Sequence, residues 1–361
     1  MGSFTAIPKA KGEANPDGDL DFPETSIPQL LARCRAELLG LPSPFQRSLR
    51  PSSSVGKGKS RLSLRVLQWN QLSQTLGTQN DGFVRCPLPA LEWRTRRWRL
   101  LEELVRHQPD ILCLQEVRFF FSIMNPLYLS SYRNFSLTKS SPQVDHFPLV
   151  ERALSSLGYE GHFVAKPDSP CIYLPSNSGP DGCALFYRRD QWEMVGQLHS
   201  RILEVWHVQS NQVAVAVNLR NLETQNEVCV ATTHLKARSG ALLATLRNEQ
   251  GKDLLAWLST VKQHRPLILT GDFNADPSEA VVRTIKEELA SAYPDSTPFT
   301  TWKIRETGEQ KSTLDYIFHS AGIQASATLD MPTEQQIGVD RLPSTAFPSD
   351  HLSMVADFQV L

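Results

Sequence analysis

The length, composition and charge of the chain exclude several classes of protein. It has 361 residues, 40% of them hydrophobic, and a formal net charge of -1 at pH 7. A sizeable core is therefore possible, but a globally basic surface is not, so any polyanion must bind a local basic patch. No stretch approaches the roughly 20 consecutive apolar residues that a membrane span requires.

Cysteine usage and the amino-terminal residues indicate a compartment. The six cysteines show no CxxC spacing, and several lie in apolar runs, as buried thiols do. The amino-terminal residues lack the apolar run of a signal peptide. Ala6 stands where a myristoylation motif at Gly2 requires Ser or Thr. We therefore expect a reduced, cytoplasmic monomer, and we leave organellar targeting open.

Residues 1–61 are predicted to be a flexible amino-terminal segment with a short helix near 28–40. The stretch 42–61 is rich in Ser, Pro and basic residues, which is typical of a linker. Apolar residues at helical spacing predict the short helix, namely Leu30, Leu31, Cys34 and Leu38. From Leu62 onward the pattern predicts one continuous catalytic domain, 62–361.

Within that domain, short apolar runs alternate with helical patterns, which predicts the α/β class. The runs that predict strands are "SLRVLQWN", "DILCLQE", "EVCVATTH", "PLILTGDFN" and "TLDYIF". Helices are predicted at 90–108, at about 147–157 and from residue 246. In the first of these, we interpret the arginines of "WRTRRWR" as a solvated helix face rather than an RNA-binding patch.

Polar side chains recur where the predicted strands end. Asn70, Glu116, His234 and the pair Asp272 and Asn274 each follow an apolar run, and a further carboxylate begins the run "DYIF". Taken singly, each has a plain structural explanation, such as a turn cap or an Asx turn in "GDFN". Their joint occurrence instead predicts a rigidly held site at one edge of a sheet.

The residue types at these positions indicate phosphate chemistry. Carboxylate, carboxamide and imidazole groups without a thiolate cluster suit Mg²⁺ rather than zinc. Asp272 is placed to polarise a water, while His234 and His351 are expected to meet phosphate oxygens. A carboxylate such as Asp315 would keep His351 protonated and oriented.

Six motifs in this order resemble the endonuclease/exonuclease/phosphatase superfamily, of DNase I-like fold. They are "QWN" (68–70), "LQE" (114–116), "TH" (233–234), "GDFN" (271–274), "LDY" (314–316) and "SDH" (349–351). The resemblance implies a four-layer α/β sandwich, in which two packed mixed β-sheets are flanked by helices. It also implies a single Mg²⁺-dependent active site at one end of the sandwich.

The same resemblance implies a role for each matching residue. Glu116 and Asp350 would be metal ligands, and Asn70 would lie beside the metal or the phosphate. Asp272 would activate the attacking water, with Asn274 as its phosphate-binding companion. The remaining residues would contact the scissile phosphate, namely Asp315 and His351 as an orienting pair and His234 as part of the wall.

The choice of substrate depends on further similarities. Segments such as "SGPDGCALF", "THLKAR" and "TTWKIR" resemble a subgroup of the deadenylase-related branch, and this implies removal of the 2′-phosphate of NADP⁺ and NADPH. Four candidate substrate-binding cations suit the phosphates of such a dinucleotide; they are Lys166, Lys236, Arg238 and Arg305. The alternatives are a poly(A)-specific 3′ exoribonuclease, for which stacking aromatics would be expected, and an inactive scaffold or RNA-binding protein.

One segment departs from the superfamily pattern. Removing residues 117–143 would restore the sequence "LQEVDHF", so the chain carries an apparent insertion directly after Glu116. It is either a substrate-covering loop or the product of an in-frame retained intron. We favour the second interpretation, because long structureless loops are uncommon in compact domains.

Overall fold

The computed structural model describes residues 20–23, 25–52, 62–77, 82–118, 146–173 and 179–361. Its helices include α1 (Ile27–Glu37), α2 (Leu88–Leu91), α3 (Trp93–Arg106), α4 (His146–Ser156), α5 (Ala241–Lys262), α6 (Ala280–Lys286) and α7 (Glu334–Ile337). Its strands include β1 (Leu49–Pro51), β2 (Leu62–Asn70), β3 (Ile111–Arg118), β4 (Tyr159–Ala165), β5 (Asp181–Arg188), β6 (Trp192–Met194), β7 (His199–Val205), β8 (Val208–Asn221), β9 (Glu227–His234), β10 (Leu267–Asp272), β11 (Ala290–Ser291), β12 (Thr301–Arg305), β13 (Gly308–Ser312), β14 (Asp315–His319), β15 (Ile323–Leu329) and β16 (Met354–Val360).

The predicted apolar runs form the centres of two mixed sheets of seven strands each. The first sheet has the order β1-β15-β16-β2-β3-β5-β4, and β2 and β3 are parallel. The second has the order β11-β14-β10-β9-β8-β6, with β7 also paired to β8, and β9 and β10 are parallel. A small third sheet is the hairpin β12-β13.

Alternation along the strands divides the apolar side chains between three cores, because successive residues of a strand point to opposite faces. On the inner face of β2, Val66 belongs to the core between the two sheets. On its outer face, Leu67 packs with residues of α3 and α4, such as Leu101 and Val150. Helix α5 covers the second sheet through Leu254 and its neighbours. The result is the predicted four-layer α/β sandwich.

The amino-terminal segment packs on the catalytic domain wherever the structure describes it. In α1, Leu30 and Cys34 are buried in the same core as α3. The side chain of Arg47 is 1% exposed and donates to the backbone oxygen of Asp330, and β1 pairs with β15. Residues 25–52 therefore differ from the flexible segment expected there, because their apolar side chains and one strand are shared with the domain. The boundary at residue 61 stays a prediction.

The arginines of α3 also differ from the expectation. Arg96 and Arg99 are 1% and 4% exposed and donate to distant backbone carbonyls, so the interpretation as a solvated face is wrong for these two residues. Periodicity could not show this, because both side chains reach loops far away in the sequence. None of the helices in the described ranges combines the length and apolar character of a membrane span.

The predicted insertion begins inside a strand. Val117 and Arg118 continue β3 and pair with Gly182 and Asp181 of β5. The rest of the predicted insertion, 119–143, lies outside the described residues.

Candidate active site

The strand order brings the predicted residues to one edge of the sandwich. The parallel strands β2 and β3 end near Asn70 and Glu116, and the parallel strands β9 and β10 end at His234 and Asp272. Strand β14 runs antiparallel to β10, so that Asp315, its first residue, lies opposite Asp272. The ends of four strands and the start of a fifth therefore deliver polar side chains to the same place.

Glu116 is turned out of the regular strand by its backbone. Its φ is +58°, and the register with β5 shifts between Gln115 and Val117. One carboxylate oxygen, Oε1, accepts from Asn70 Nδ2 at 3.2 Å, and Oε2 accepts from the backbone N–H of Ser73 at 2.8 Å. Burial, together with the nearby charge of Asp181, raises the pKa of Glu116 to about 7.

The two oxygens of Asp272 have different surroundings. Oδ1 accepts from the backbone N–H of Asn274 at 2.9 Å, which fixes the carboxylate. Oδ2 accepts from Asn70 Nδ2 at 2.9 Å and lies 3.6 Å from His234 Nε2 and 3.8 Å from His351 Nδ1. Burial raises the pKa of Asp272, which favours proton acceptance at Oδ2. The side-chain Nδ2 of Asn274 donates to the carbonyl of Leu235 at 3.1 Å.

Asp315 and His351 form the predicted orienting pair. His351 Nδ1 lies 2.8 Å from Asp315 Oδ2. Thr300 and Gln68 donate to the same carboxylate at 2.7 and 2.9 Å, so its position is fixed from both sides. Burial alone would lower the pKa of His351, but the surrounding carboxylates, Asp315 first, raise it to about 9. The ring is therefore an imidazolium at neutral pH, a hydrogen-bond donor at both nitrogens.

His234 is held in the opposite state. Lys166 Nζ lies 3.3 Å from His234 Nδ1, so this nitrogen accepts, and Nε2 carries the proton toward Asp272. Burial and the charge of Lys166 lower the pKa of His234 well below its ordinary value. Lys166 itself is bound to Asp181, at 2.6 Å. Lys166, which is predicted to bind the substrate, thus also fixes the tautomer of His234.

Asp350 is paired with two cations of β12. Its Oδ2 accepts from Lys303 and lies 3.3 Å from Arg305 Nη2. Burial opposes ionisation, but Lys303, His351 and Arg305 together outweigh it, so the pKa of Asp350 lies below its usual range. The predicted role of Asp350 as a metal ligand would have to share the carboxylate with this ion pair, and it stays a prediction.

Lys236 and Arg238 lie on the loop between β9 and α5 and are more exposed than the buried carboxylates of the site. Arg238 is exposed, whereas Lys166 is 7% exposed. Buried Arg247 donates Nη1 to the carbonyls of Lys236 and Arg238 at 3.0 and 2.7 Å. The backbone of the loop is thereby fixed just after the end of β9, and the substrate-binding role of both side chains stays a prediction.

The donor set fits a Mg²⁺ ion. Glu116, Asp272 and Asn70 offer carboxylate and amide oxygens, the ligands that Mg²⁺ prefers. Burial and neighbouring carboxylates raise the pKa of both Glu116 and Asp272, and a divalent cation bound there would relieve both effects. Ligand atoms of Asp272, Asp315 and His351 also lie within 4.8 Å of one another. That group fits less well, because His351 is protonated and bound to Asp315.

Two buried charged residues of the site were missed by sequence reasoning. They are Asp181, the partner of Lys166, and Lys303, the partner of Asp350. A signal existed for each: Asp181 begins a strand within "GPDGC", and Lys303 lies two positions from Arg305, on the same face of β12.

Comparisons with known proteins agree with this geometry. The sequence model of the Endonuclease/Exonuclease/phosphatase family matches residues 67–351. The chain is 41% identical to Nocturnin of Drosophila melanogaster over 100% of this chain and 60% of that protein. It is 42% identical to Nocturnin of Homo sapiens over 91% of this chain and 73% of that protein. It therefore spans less than two thirds of the Drosophila relative.

A solved structure supports the same similarity. The human Nocturnin catalytic domain with bound sulfate anion has 35% sequence identity and a TM-score of 0.65. The match covers 88% of this chain and 98% of that one. The similarity therefore extends from sequence motifs to the arrangement of the whole domain.

Proposed function

The chain belongs to the endonuclease/exonuclease/phosphatase family, and from this premise we propose that it is a Mg²⁺-dependent phosphatase of NADP⁺ and NADPH. It would remove the 2′-phosphate and give NAD⁺, NADH and inorganic phosphate. The family and the likeness to Nocturnin support a phosphoesterase or nuclease type of hydrolase. The substrate and the metal are the proposal.

One observation carries the choice of substrate: the innermost cations are buried or partly buried, and each is held by a carboxylate. Lys166 is held by Asp181, and Lys303 and Arg305 are held by Asp350. Fixed, desolvated cations suit a small ligand with several phosphates, because such a ligand offers few other contacts. The sulfate bound to the human Nocturnin catalytic domain supports binding of a tetrahedral anion by a domain of this kind.

Glu116 and Asn70 would hold Mg²⁺, with Asp350 as a further expected ligand. When bound, the ion would place positive charge beside a non-bridging phosphate oxygen and lower the pKa of a nearby water. Asn70 has a second task, since its Nδ2 joins Glu116 and Asp272. It would therefore keep the metal ligand and the proposed base at a fixed spacing.

The remaining residues would divide proton transfer and charge stabilisation between them. Asp272 Oδ2 would accept a proton from the attacking water, with Oδ1 held by the N–H of Asn274. His351, kept charged by Asp315, would donate to a phosphate oxygen. His234 would donate from Nε2, because Lys166 occupies its other nitrogen.

The test is phosphate release from NADPH by the purified full chain in the presence of Mg²⁺. We expect inorganic phosphate and NADH, and we expect Glu116→Ala to abolish their formation because the metal ligand is lost. Glu223→Ala, on an exposed turn, is the matched control and should leave the rate unchanged.

Two other results would contradict the proposed phosphatase and support one of the alternatives. Trimming of oligo(A) by the full chain, with NADPH left intact, would show that it is an exoribonuclease. No turnover of either substrate, in a folded protein that still binds RNA, would favour the scaffold interpretation.

A further inference from the structure

Arg96 of α3 is a buried cation whose hydrogen bonds all go to loops of the active site. It is 1% exposed. Its guanidinium donates to three backbone carbonyls and to the side-chain amide oxygen of Gln74. Fully burying an arginine is costly unless the charge is well hydrogen-bonded. Packing of α3 alone would not require a charged side chain at this position. The hydrogen-bond partners of the Arg96 guanidinium therefore indicate its role.

One side of the guanidinium fixes the loop that follows Asn70. Nη2 donates to the carbonyls of Gln71 and Leu72 at 2.8 and 2.6 Å. The backbone N–H of Leu72 donates to Asn70 Oδ1 at 3.1 Å, and the next N–H, of Ser73, donates to Glu116 Oε2 at 2.8 Å. Leu72 has a φ of +57°. Arg96 therefore stabilises a strained turn whose N–H groups orient the proposed metal ligands.

The other side of the guanidinium fixes the loop that carries Asp350 and His351. Nε donates to the carbonyl of Pro348 at 2.9 Å. The next residue, Ser349, donates its hydroxyl to the carbonyl of Asn70 at 2.7 Å and accepts from the N–H of His351 at 3.1 Å. The two loops thus meet at Ser349, and the guanidinium joins them a second time.

We infer that Arg96 is a positioning residue that sets the spacing between the Glu116 side and the Asp350–His351 side of the site. The inference rests on the proposed function, because it assigns a role in the same site. A guanidinium suits this role because its planar fork donates in several fixed directions at once. A lysine ammonium retains the charge but cannot reproduce that geometry.

The decisive variant is Arg96→Lys, compared with Arg99→Lys. Arg99 is a matched control, since it lies one turn later on α3, is 4% exposed and donates to the carbonyls of Thr345 and Pro42. Both variants lose buried hydrogen bonds, so we expect both to lower the Tm without Mg²⁺. Only Arg96→Lys should weaken Mg²⁺ binding and lower kcat, each by about 10–100-fold, as is usual for groups that orient metal ligands.

Mg²⁺ binding is measured by calorimetry and by the rise of the Tm with Mg²⁺ concentration. Equal Mg²⁺ affinity and equal kcat in the two lysine variants would overturn the inference. If Arg96→Lys does not fold, Ser349→Ala removes the other link between the loops, and unchanged Mg²⁺ affinity in that variant would overturn it too.

A failure of the proposed function can be distinguished from a failure of the inference about Arg96. A wild-type chain that ignores NADPH but binds Mg²⁺ would contradict the proposed substrate. The comparison of Mg²⁺ affinity between the two lysine variants would still decide the role of Arg96.

Discussion

The two ends of strands β2 and β3 both carry charged side chains that are buried or partly buried, but the charges are arranged differently. At the start of the strands, Arg65 forms a two-bond ion pair with Asp357, at 2.6 and 2.9 Å, and donates to the carbonyl of His107. At the opposite end, Glu116, Asp272 and Asp315 share a small volume with Asn70 and His351. The first end is matched in charge, whereas the second contains an excess of carboxylates.

This difference separates stability from function. The hydrogen bonds of Asp357 raise the pKa of Arg65, as expected for an ion pair that favours the folded state. Burial raises the pKa of Glu116 and Asp272, so their charged forms oppose folding. A bound ligand of opposite charge can stabilise carboxylates whose ionised form is unfavourable in the folded protein. The carboxylate end is therefore arranged for a cation and a phosphate, at some cost in stability.

The largest expected effect is that of Asp272→Asn on activity. Removing the proposed base should lower kcat by about 10²–10⁴-fold. The free energy of unfolding without Mg²⁺ should stay the same or rise, because a buried carboxylate of raised pKa is lost. Steady-state kinetics and urea unfolding test both parts. A destabilised variant with normal kcat would contradict the assignment of function to the carboxylate end and of stability to the other end.

Asp357→Asn should have the opposite effect at the matched end. It leaves the half-buried guanidinium of Arg65 without its carboxylate, which is expected to cost about 1–3 kcal/mol of unfolding free energy. Because the ion pair lies at the other end of the strands, kcat should not change. Urea unfolding measures the loss, and a fall in kcat at saturating Mg²⁺ would contradict the separation.

The third expected effect, the smallest when taken per pH unit, is a pH dependence of stability near the same end. Burial lowers the pKa of His107 from 6.5 to about 4. Between these values the unfolded chain binds a proton that the folded chain does not. Stability should therefore fall as the pH is lowered from about 6.5 to about 4, with a slope of at most about 1.4 kcal/mol per pH unit.

His107→Gln should reduce that slope, since the titrating ring is gone. Urea unfolding at several pH values measures it. His264→Gln is a suitable control because His264 is exposed, and it should leave the slope unchanged. An identical slope in wild type and His107→Gln would assign the acid sensitivity to other groups.

The strand ends of the site were predictable because a local rule governs them. A polar residue directly after a buried strand is visible in the sequence, and parallel pairing of β2 with β3 and of β9 with β10 brings such residues together. Asn70, Glu116, His234 and Asp272 were found in this way. The resemblance to a family implied two packed mixed sheets, but which strands pair was not predicted, because the pattern does not give the strand order.

The contacts that could not be predicted are those between distant segments. Arg96 had the periodicity of an exposed helix residue, yet its partner carbonyl on Pro348 is more than 250 positions away in sequence. Lys303 and Asp181 likewise acquire their roles only from neighbours brought together by the sheets. Strand β1 lay in a stretch rich in Ser and Pro that is typical of linkers, and pairing with β15 alone makes it a strand.

Strand β1 has a consequence for the behaviour of the protein in concentrated solution. By pairing with β15, it covers the backbone of Ala327–Leu329, which would otherwise be part of the open edge of the first sheet. The new edge is short, contains Pro51, which has no N–H to donate, and displays the exposed Arg50. These features discourage edge-to-edge aggregation. A chain shortened to begin at Leu62 would leave this edge of β15 uncovered. We therefore expect the amino-terminal segment to reduce aggregation through this edge, in addition to its packing on the domain.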